Sequence, residues 1–264
     1  MTTILTRPEF KVPTIHLEGV PVSRLGFAET LSLLTDWLHD ETGSHHSRRV
    51  ATANADFLYR ARHDEQLREA LRTADLVTAD GWPLVAASRF RGEEIAERVA
   101  GSDLLVPLCA AASMANRSVF LLGGQDGVAA AAAKVLQESF ADLWIAGTAE
   151  PFIRLDDEVG CARVAREVAD SGAALLIVAL GCPKQELFLH RWLAHTGCSL
   201  GIGVGASLDF LVGRSKRAPG WAQKLHLEWL HRALSEPGRL GSRYAKNLPF
   251  VLGMLWREWW RRGS

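Results

Sequence analysis

Short, continuous apolar runs alternate with longer stretches of helical periodicity through most of the chain. The runs Thr14–Val20, Arg49–Ala53, Leu76–Ala79, Ser118–Leu122, Leu143–Thr148, Ala174–Leu180 and Leu200–Val204 read as strands. Between them the spacing predicts helices over Phe27–Asp40, Asp56–Thr73, Trp82–Phe90, Ser102–Ala115, Gly127–Phe140, Asp156–Ser171 and Pro183–His195. Gly172, Gly197 and the Asn116–Arg117 pair fall where helices should stop. Strands that are apolar on both sides need cover on both sides. The pattern therefore predicts an α/β fold, with a Rossmann-like, mostly parallel sheet flanked by helices on each face.

In such sheets ligands bind at the carboxyl ends of the strands. The loops expected there read Thr52-Ala-Asn54-Ala-Asp56, Ala79-Asp80-Gly81, Gly123-Gly124-Gln125-Asp126-Gly127, Gly181-Cys-Pro-Lys184-Gln185-Glu186 and Gly201-Ile-Gly203-Val-Gly205-Ala-Ser207. Asp80 has two readings: a cap for the helix from Trp82, or a carboxylate facing the cleft and able to accept a proton. Thr52 and Asn54 could bind sugar hydroxyls or cap the helix from Asp56. Pro183 suits a helix start, and Glu186 then reads as an ordinary first-turn acid. Gln185 has no such local reason and is a candidate ligand contact.

Gly123, Gly124 and Gly127 open an alanine-rich helix, where backbone N–H groups and the helix dipole can meet a phosphate or simply make a tight turn. A nicotinamide-dependent Rossmann oxidoreductase is the competing reading, with Glu150 where a ribose-binding acid would stand. The G-x-G-x-G at 201–205 lacks an acid at the expected offset, and neither loop completes G-x-G-x-x-G. No Ser-His-Asp or Cys-His arrangement, no His spacing for a metal and no D-x-D is present, so neither a metal site nor a cofactor is expected.

Charge changes the picture. The 264 residues carry 30 basic and 30 acidic side chains. Residues 214–264 hold 11 basic against three acidic ones, which leaves 19 basic and 27 acidic in 1–213. The body is thus −8 and the tail +8, and the tail also carries five of the nine tryptophans, Trp221, Trp229, Trp256, Trp259 and Trp260. That asymmetry points to an anionic partner. A catalytic body (1–213) and a basic helical appendage (214–264) is the expected division. Trp interleaved with Arg suits a membrane interface, and a non-enzymatic membrane-surface module is a further reading. No nucleic-acid reader motif supports nucleic acid. Four scattered cysteines without C-x-x-C argue against a disulfide scaffold or zinc module, and no apolar run reaches the length of a spanning helix. The N-terminus lacks the apolar core of a signal peptide.

Together these loops resemble the WecG/TagA/CpsF family of bacterial glycosyltransferases (glycosyltransferase family 26). The matching stretches are Thr52-Ala-Asn54, Asp75–Gly81, Arg98-Val-Ala-Gly-Ser-Asp103-Leu, Val119–Gly124, Leu180–Glu186 and Gly203–Phe210. Lys216–Pro219, Leu227–Arg232 and Glu236–Arg239 continue the series in the tail. The resemblance implies an inverting, metal-independent transfer from a UDP-sugar to a polyprenyl-diphosphate-linked sugar, in cell-surface polysaccharide or teichoic acid synthesis. The sugar it implies is N-acetylmannosamine, its uronic acid, or glucose. Carried over by position, Asp80 is the general base, and Thr52, Asn54, Arg98 and Gln185 are substrate-pocket residues. Gly123, Gly124, Gly181 and Asp209 lie on the nucleotide side, while Arg232, Arg239 and Arg243 are the appendage arginines that fold over the diphosphate. His231 and Ala100 depart from the family pattern, which leaves the sugar open. The expected location is the cytoplasmic face of the plasma membrane, peripherally bound; self-association is left open.

Overall fold

A computed structural model describes residues 12–39, 47–215, 218–219 and 237–262, with 237–246 described by backbone alone. The first element among the described residues is a hairpin, β1 (Thr14–Leu17) and β2 (Val20–Ser23), paired antiparallel with Leu17 opposite Val20. The expected single strand Thr14–Val20 is corrected here. Glu18 and Gly19 both take positive φ, 51° and 82°, which makes the two-residue reversal whose twist suits a hairpin.

Six further strands form one parallel sheet in the order β4-β3-β8-β7-β5-β6. They are β3 (Arg48–Ala53), β4 (Leu76–Ala79), β5 (Val119–Gly123), β6 (Ile145–Ala149), β7 (Leu175–Ala179) and β8 (Leu200–Gly203). The helices between them are α1 (Phe27–His39), α2 (Ala55–Ala61), α3 (Glu65–Arg72), α4 (Trp82–Arg91) and α5 (Gly101–Met114). Then come α6 (Val128–Ser139), α7 (Glu158–Asp170), α8 (Lys184–Trp192), the short α9 (Ser207–Leu211) and α10 (Pro237–Trp260). The helix expected over Asp56–Thr73 is two, because Asp64 leaves helical geometry and its carboxylate accepts from the Leu67 N–H to start α3.

Side chains alternate along each strand, as a period of two requires. On β7, Leu175 and Ile177 join a core with α1, α5 and α6, while Leu176 and Val178 join one with α7 and α8. Ala51, Ala53 and Val77 of β3 and β4 face α2, α3, α4 and the hairpin. Each fully buried leucine or isoleucine contributes roughly 1.5–3 kcal/mol.

Helix α10 packs on α4 and α2. Its inward residues are Asn247, Phe250, Met254 and Glu258, all buried. The Phe250 ring meets Tyr59 edge-on, Arg257 pairs with Glu18 at 2.6 Å, and Glu258 pairs with Arg91 at 3.5 Å. Among the described residues no helix is long and apolar enough to cross a membrane.

Candidate functional site

The carboxyl ends of β4 and β3 carry the densest polar array. Asp80 leaves β4 with its N–H donated to the Ala53 carbonyl at 2.8 Å, so it stands beside the end of β3. Its side chain is half-buried, and the N-cap position of α4 falls on Gly81. Asp80 Oδ1 lies 3.4 Å from Arg98 Nη1, and Arg98 Nη2 donates to Asp103 Oδ2 at 2.6 Å. One guanidinium thus faces two carboxylates across a partly open edge. Arg98 is delivered there by its neighbour. The Val99 N–H donates to Ala79 O at 2.9 Å, and the Val99 carbonyl accepts from the Thr78 hydroxyl at 2.9 Å.

Thr52 and Asn54 flank this array. The buried Thr52 hydroxyl donates to Gly203 O at 2.9 Å, tying the end of β3 to that of β8. Gly101, the first residue of α5, sits against it, and a Cβ there would lie 3.0 Å from Thr52 Oγ1 and 3.1 Å from Val204 Cα. Asn54 caps α2, with Oδ1 accepting from the N–H groups of Asp56 and Phe57. Its Cβ also borders the Asp80–Gly81 turn.

In the middle of the edge, Gln185 and Glu186 are buried. Gln185 Oε1 accepts from the N–H groups of Gly181 (3.1 Å) and Gly205 (3.0 Å), and its Nε2 donates to Glu186 Oε1 at 2.7 Å. Burial pushes the Glu186 carboxyl up to about 7, and raises the neighbouring Cys182 thiol well above its usual value. Glu186 does stand in the first turn of α8, as expected, but it is buried there. The available signal was a Gln-Glu pair one residue beyond the Gly-Cys-Pro turn that follows β7.

Further along, the loop from β5 to α6 has a carboxylate at its helix start. Glu150 reaches back from the end of β6, and its two oxygens accept from the N–H groups of Gly127 (2.8 Å) and Ala129 (2.7 Å). The start of α6 therefore already holds a carboxylate. The oxidoreductase reading loses the acid it assigned to a ribose, since Glu150 serves the helix. Gly123 is required by packing: at φ 110° its α-carbon faces Ala179 O, where a Cβ would come within 2.5 Å. The Gly124 N–H donates to the same carbonyl at 3.1 Å. Asp209 is half-buried on α9, and Arg214 just beyond it donates to Gln125 O and Asp126 Oδ2, both at 2.6 Å.

The structure thus brings Thr52, Asn54, Asp80, Arg98 and Asp103 together at one end of the edge. Gly181 and Gln185 stand at its centre, and Gly123, Gly124 and Asp209 towards the other end. Arg232 lies outside the described residues. Arg239 and Arg243 lie on the first turns of α10, where only the backbone is described. Among the described residues no group of three or more His, Cys, Asp or Glu is placed to hold a metal.

The outward face of α10 is apolar. Leu248, Leu252, Trp256, Trp259 and Trp260 are exposed and share one side of the helix, and the three indoles lie with centroids 5.4–5.8 Å apart.

A family model described as "Glycosyl transferase WecG/TagA/CpsF family" matches residues 15–264. The chain is similar to the N-acetylglucosaminyldiphosphoundecaprenol N-acetyl-beta-D-mannosaminyltransferase of Bacillus spizizenii. Identity is 30% over 229 residues, covering 84% of this chain and 86% of that protein. The Bacillus subtilis (strain 168) protein of the same name is 28% identical over 190 residues, 72% of each chain.

Proposed function

The chain belongs to the WecG/TagA/CpsF family of glycosyltransferases, and from that premise we propose that it moves an N-acetylmannosamine-type sugar from UDP to a polyprenyl-diphosphate-linked sugar, with inversion. The observation that carries the reading is the pairing of Asp80 with Arg98 at the mouth of β4. Asp80 takes the proton of the acceptor hydroxyl as its oxygen attacks the anomeric carbon. The bond from that carbon to the UDP oxygen breaks on the opposite face, and UDP leaves as the anion. A positioned base contributes ~10²–10⁴-fold to such a step. Arg98 fixes the direction of the Asp80 carboxylate, and Asp103 braces Arg98 from its other side. Thr52 and Asn54 border the acceptor sugar, and Asp209 and the Gly181 and Gly123–Gly124 turns border the nucleotide.

The developing charge on UDP needs cations. Arg232, Arg239 and Arg243 of the basic tail supply them, their guanidinium forks matching phosphate oxygens. An acceptor held on a polyprenyl chain lies in a membrane, and the exposed Leu–Trp face of α10 rests on that surface from the cytoplasmic side. The mannosamine assignment leans on the two Bacillus relatives, whose names specify a β-linked product; a single displacement on an α-linked donor yields that configuration.

The deciding experiment is a screen of UDP-sugars against a soluble polyprenyl-diphosphate-N-acetylglucosamine analogue, with Asp80→Asn alongside. Transfer of N-acetylmannosamine that depends on Asp80 is expected. Transfer unaffected in a folded Asp80→Asn protein, or no transfer from any UDP-sugar, removes the reading.

A further inference from the structure

Glu186 has no part in the mechanism above, yet it is enclosed at the centre of the cleft edge. It is 4% exposed, and besides the Gln185 amide its carboxyl meets the weakly donating Cys182 thiol. The groups facing it are the Cys182 thiol from the turn after β7, the Gln185 amide beside it, and the Arg60 guanidinium of α2, itself paired with Asp56 at 2.9 Å. A buried carboxyl with one amide donor and a weak thiol for company is costly to keep for packing alone.

We propose that Glu186 is a positioning residue for the transfer site: by holding the Gln185 amide in one orientation it fastens together the turns that follow β7 and β8. The geometry gives the reason. Gln185 Oε1 accepts from two backbone N–H groups, those of Gly181 and Gly205, which both sit at positive φ (73° and 59°). Turned over, the amide would present its NH₂ to two donors, and its oxygen would face the Glu186 carboxyl. The two N–H donors and the acceptor at Glu186 Oε1 together select the observed orientation, and Glu186 is the one side chain among them. The pair also presses on β8: a Cβ on Gly203 would lie 2.6 Å from Gln185 Nε2 and 3.1 Å from Glu186 Oε1. The Gly203 carbonyl in turn receives the Thr52 hydroxyl, and the residue after Thr52 accepts from the Asp80 N–H. Glu186 therefore sets the spacing between the nucleotide-side turns and the Asp80 end through a continuous set of bonded groups.

The inference rests on the transferase reading, so its test has one readout that does not. Amide hydrogen exchange at Gly181 and Gly205 reports the fastening directly in the full chain, while steady-state transfer reports its consequence. In Glu186→Ala both amides should exchange at least ~10-fold faster, and kcat/KM should fall by ~10–10²-fold, the scale of a displacement of about 1 Å in a reacting site. Glu186→Gln keeps a carbonyl oxygen for the Gln185 amide and resembles the protonated acid, so it should recover protection and most of the activity. Unchanged protection in Glu186→Ala overturns the proposal. So does a folded Glu186→Gln as impaired as Glu186→Ala, because the carboxyl would then be needed for itself. Should Glu186→Ala not fold, exchanging the two side chains decides: Gln185→Glu with Glu186→Gln restores one donor between two acceptors. Protection must be higher in that double variant than in Gln185→Glu alone, and equality overturns the proposal. If the wild type neither binds UDP nor transfers sugar, the transferase reading fails while the exchange data still judge the fastening.

Discussion

Asn247 on the last helix donates its amide to Asp56 Oδ1 on α2 at 3.0 Å, across 191 residues of sequence, and both side chains are buried. Asp56 is the second residue of a helix capped by Asn54, beside the Asp80 turn. The C-terminal helix is thereby fixed to the same element that borders the proposed base.

Removing that donor has a calculable effect. Asn247→Ala leaves Asp56 with Arg60 but without its buried amide partner, and a lost bond to a charged group costs about 1.5–3 kcal/mol. Urea unfolding should show a loss of that size, with faster proteolysis within α10. A variant as stable as wild type would mean that the bond contributes nothing to docking the helix.

Asp80→Asn is expected to lower kcat by ~10²–10⁴-fold and leave UDP affinity nearly unchanged. The residue is partly exposed and keeps its backbone bond to Ala53, so the melting temperature should move by no more than about 2–4 °C. Calorimetry with UDP and a single-turnover assay separate the two effects.

Much of this arrangement was legible in the residues. The sheet class, the cleft edge and the loops bearing Thr52, Asp80 and Gln185 follow from apolar runs ending in polar and glycine-rich turns. What local pattern conceals is the partner across the fold. Glu150 looks like a free acid after a strand, and only the approach of β6 to α6 makes it a cap. Glu186 looks like a dipole-complementing acid because periodicity reports one helix, not the glycine strand pressed against it. The Glu18–Gly19 reversal splits an apolar run that otherwise reads as one strand. Asn247 carries no sequence signal, since its meaning lies entirely in Asp56.

The outward face of α10 predicts a separable membrane contact. Trp256, Trp259 and Trp260 are 49–63% exposed, so replacing all three by serine should leave stability almost unchanged. If each indole contributes at least ~1 kcal/mol in the interface, partitioning onto vesicles should fall by about 10²-fold. High salt should weaken only the part due to arginine and anionic lipid. Co-sedimentation with neutral and anionic vesicles reads both; equal binding by the triple variant would place the contact elsewhere.

Glu186 also predicts how stability depends on pH. Its native carboxyl titrates near 7, against 4.5 for the ordinary group, because burial disfavours the charge. Between those values the folded protein holds a proton that the unfolded chain has released. Its contribution to stability is therefore full below about pH 4.5, declines as pH rises through the window, and is lost above about 7. The total is about 3 kcal/mol. Glu186→Gln has nothing to titrate at this position. Relative to wild type it should gain about 2–3 kcal/mol on going from pH 5 to pH 8, as measured by denaturant unfolding at each pH. Cys182 does not interfere, because its raised thiol titrates above that range. Parallel stability curves for the two proteins would mean that the folded state accommodates the ionised carboxylate as readily as water does. The enclosed geometry, in which an amide and a weak thiol stand in for water, argues against that.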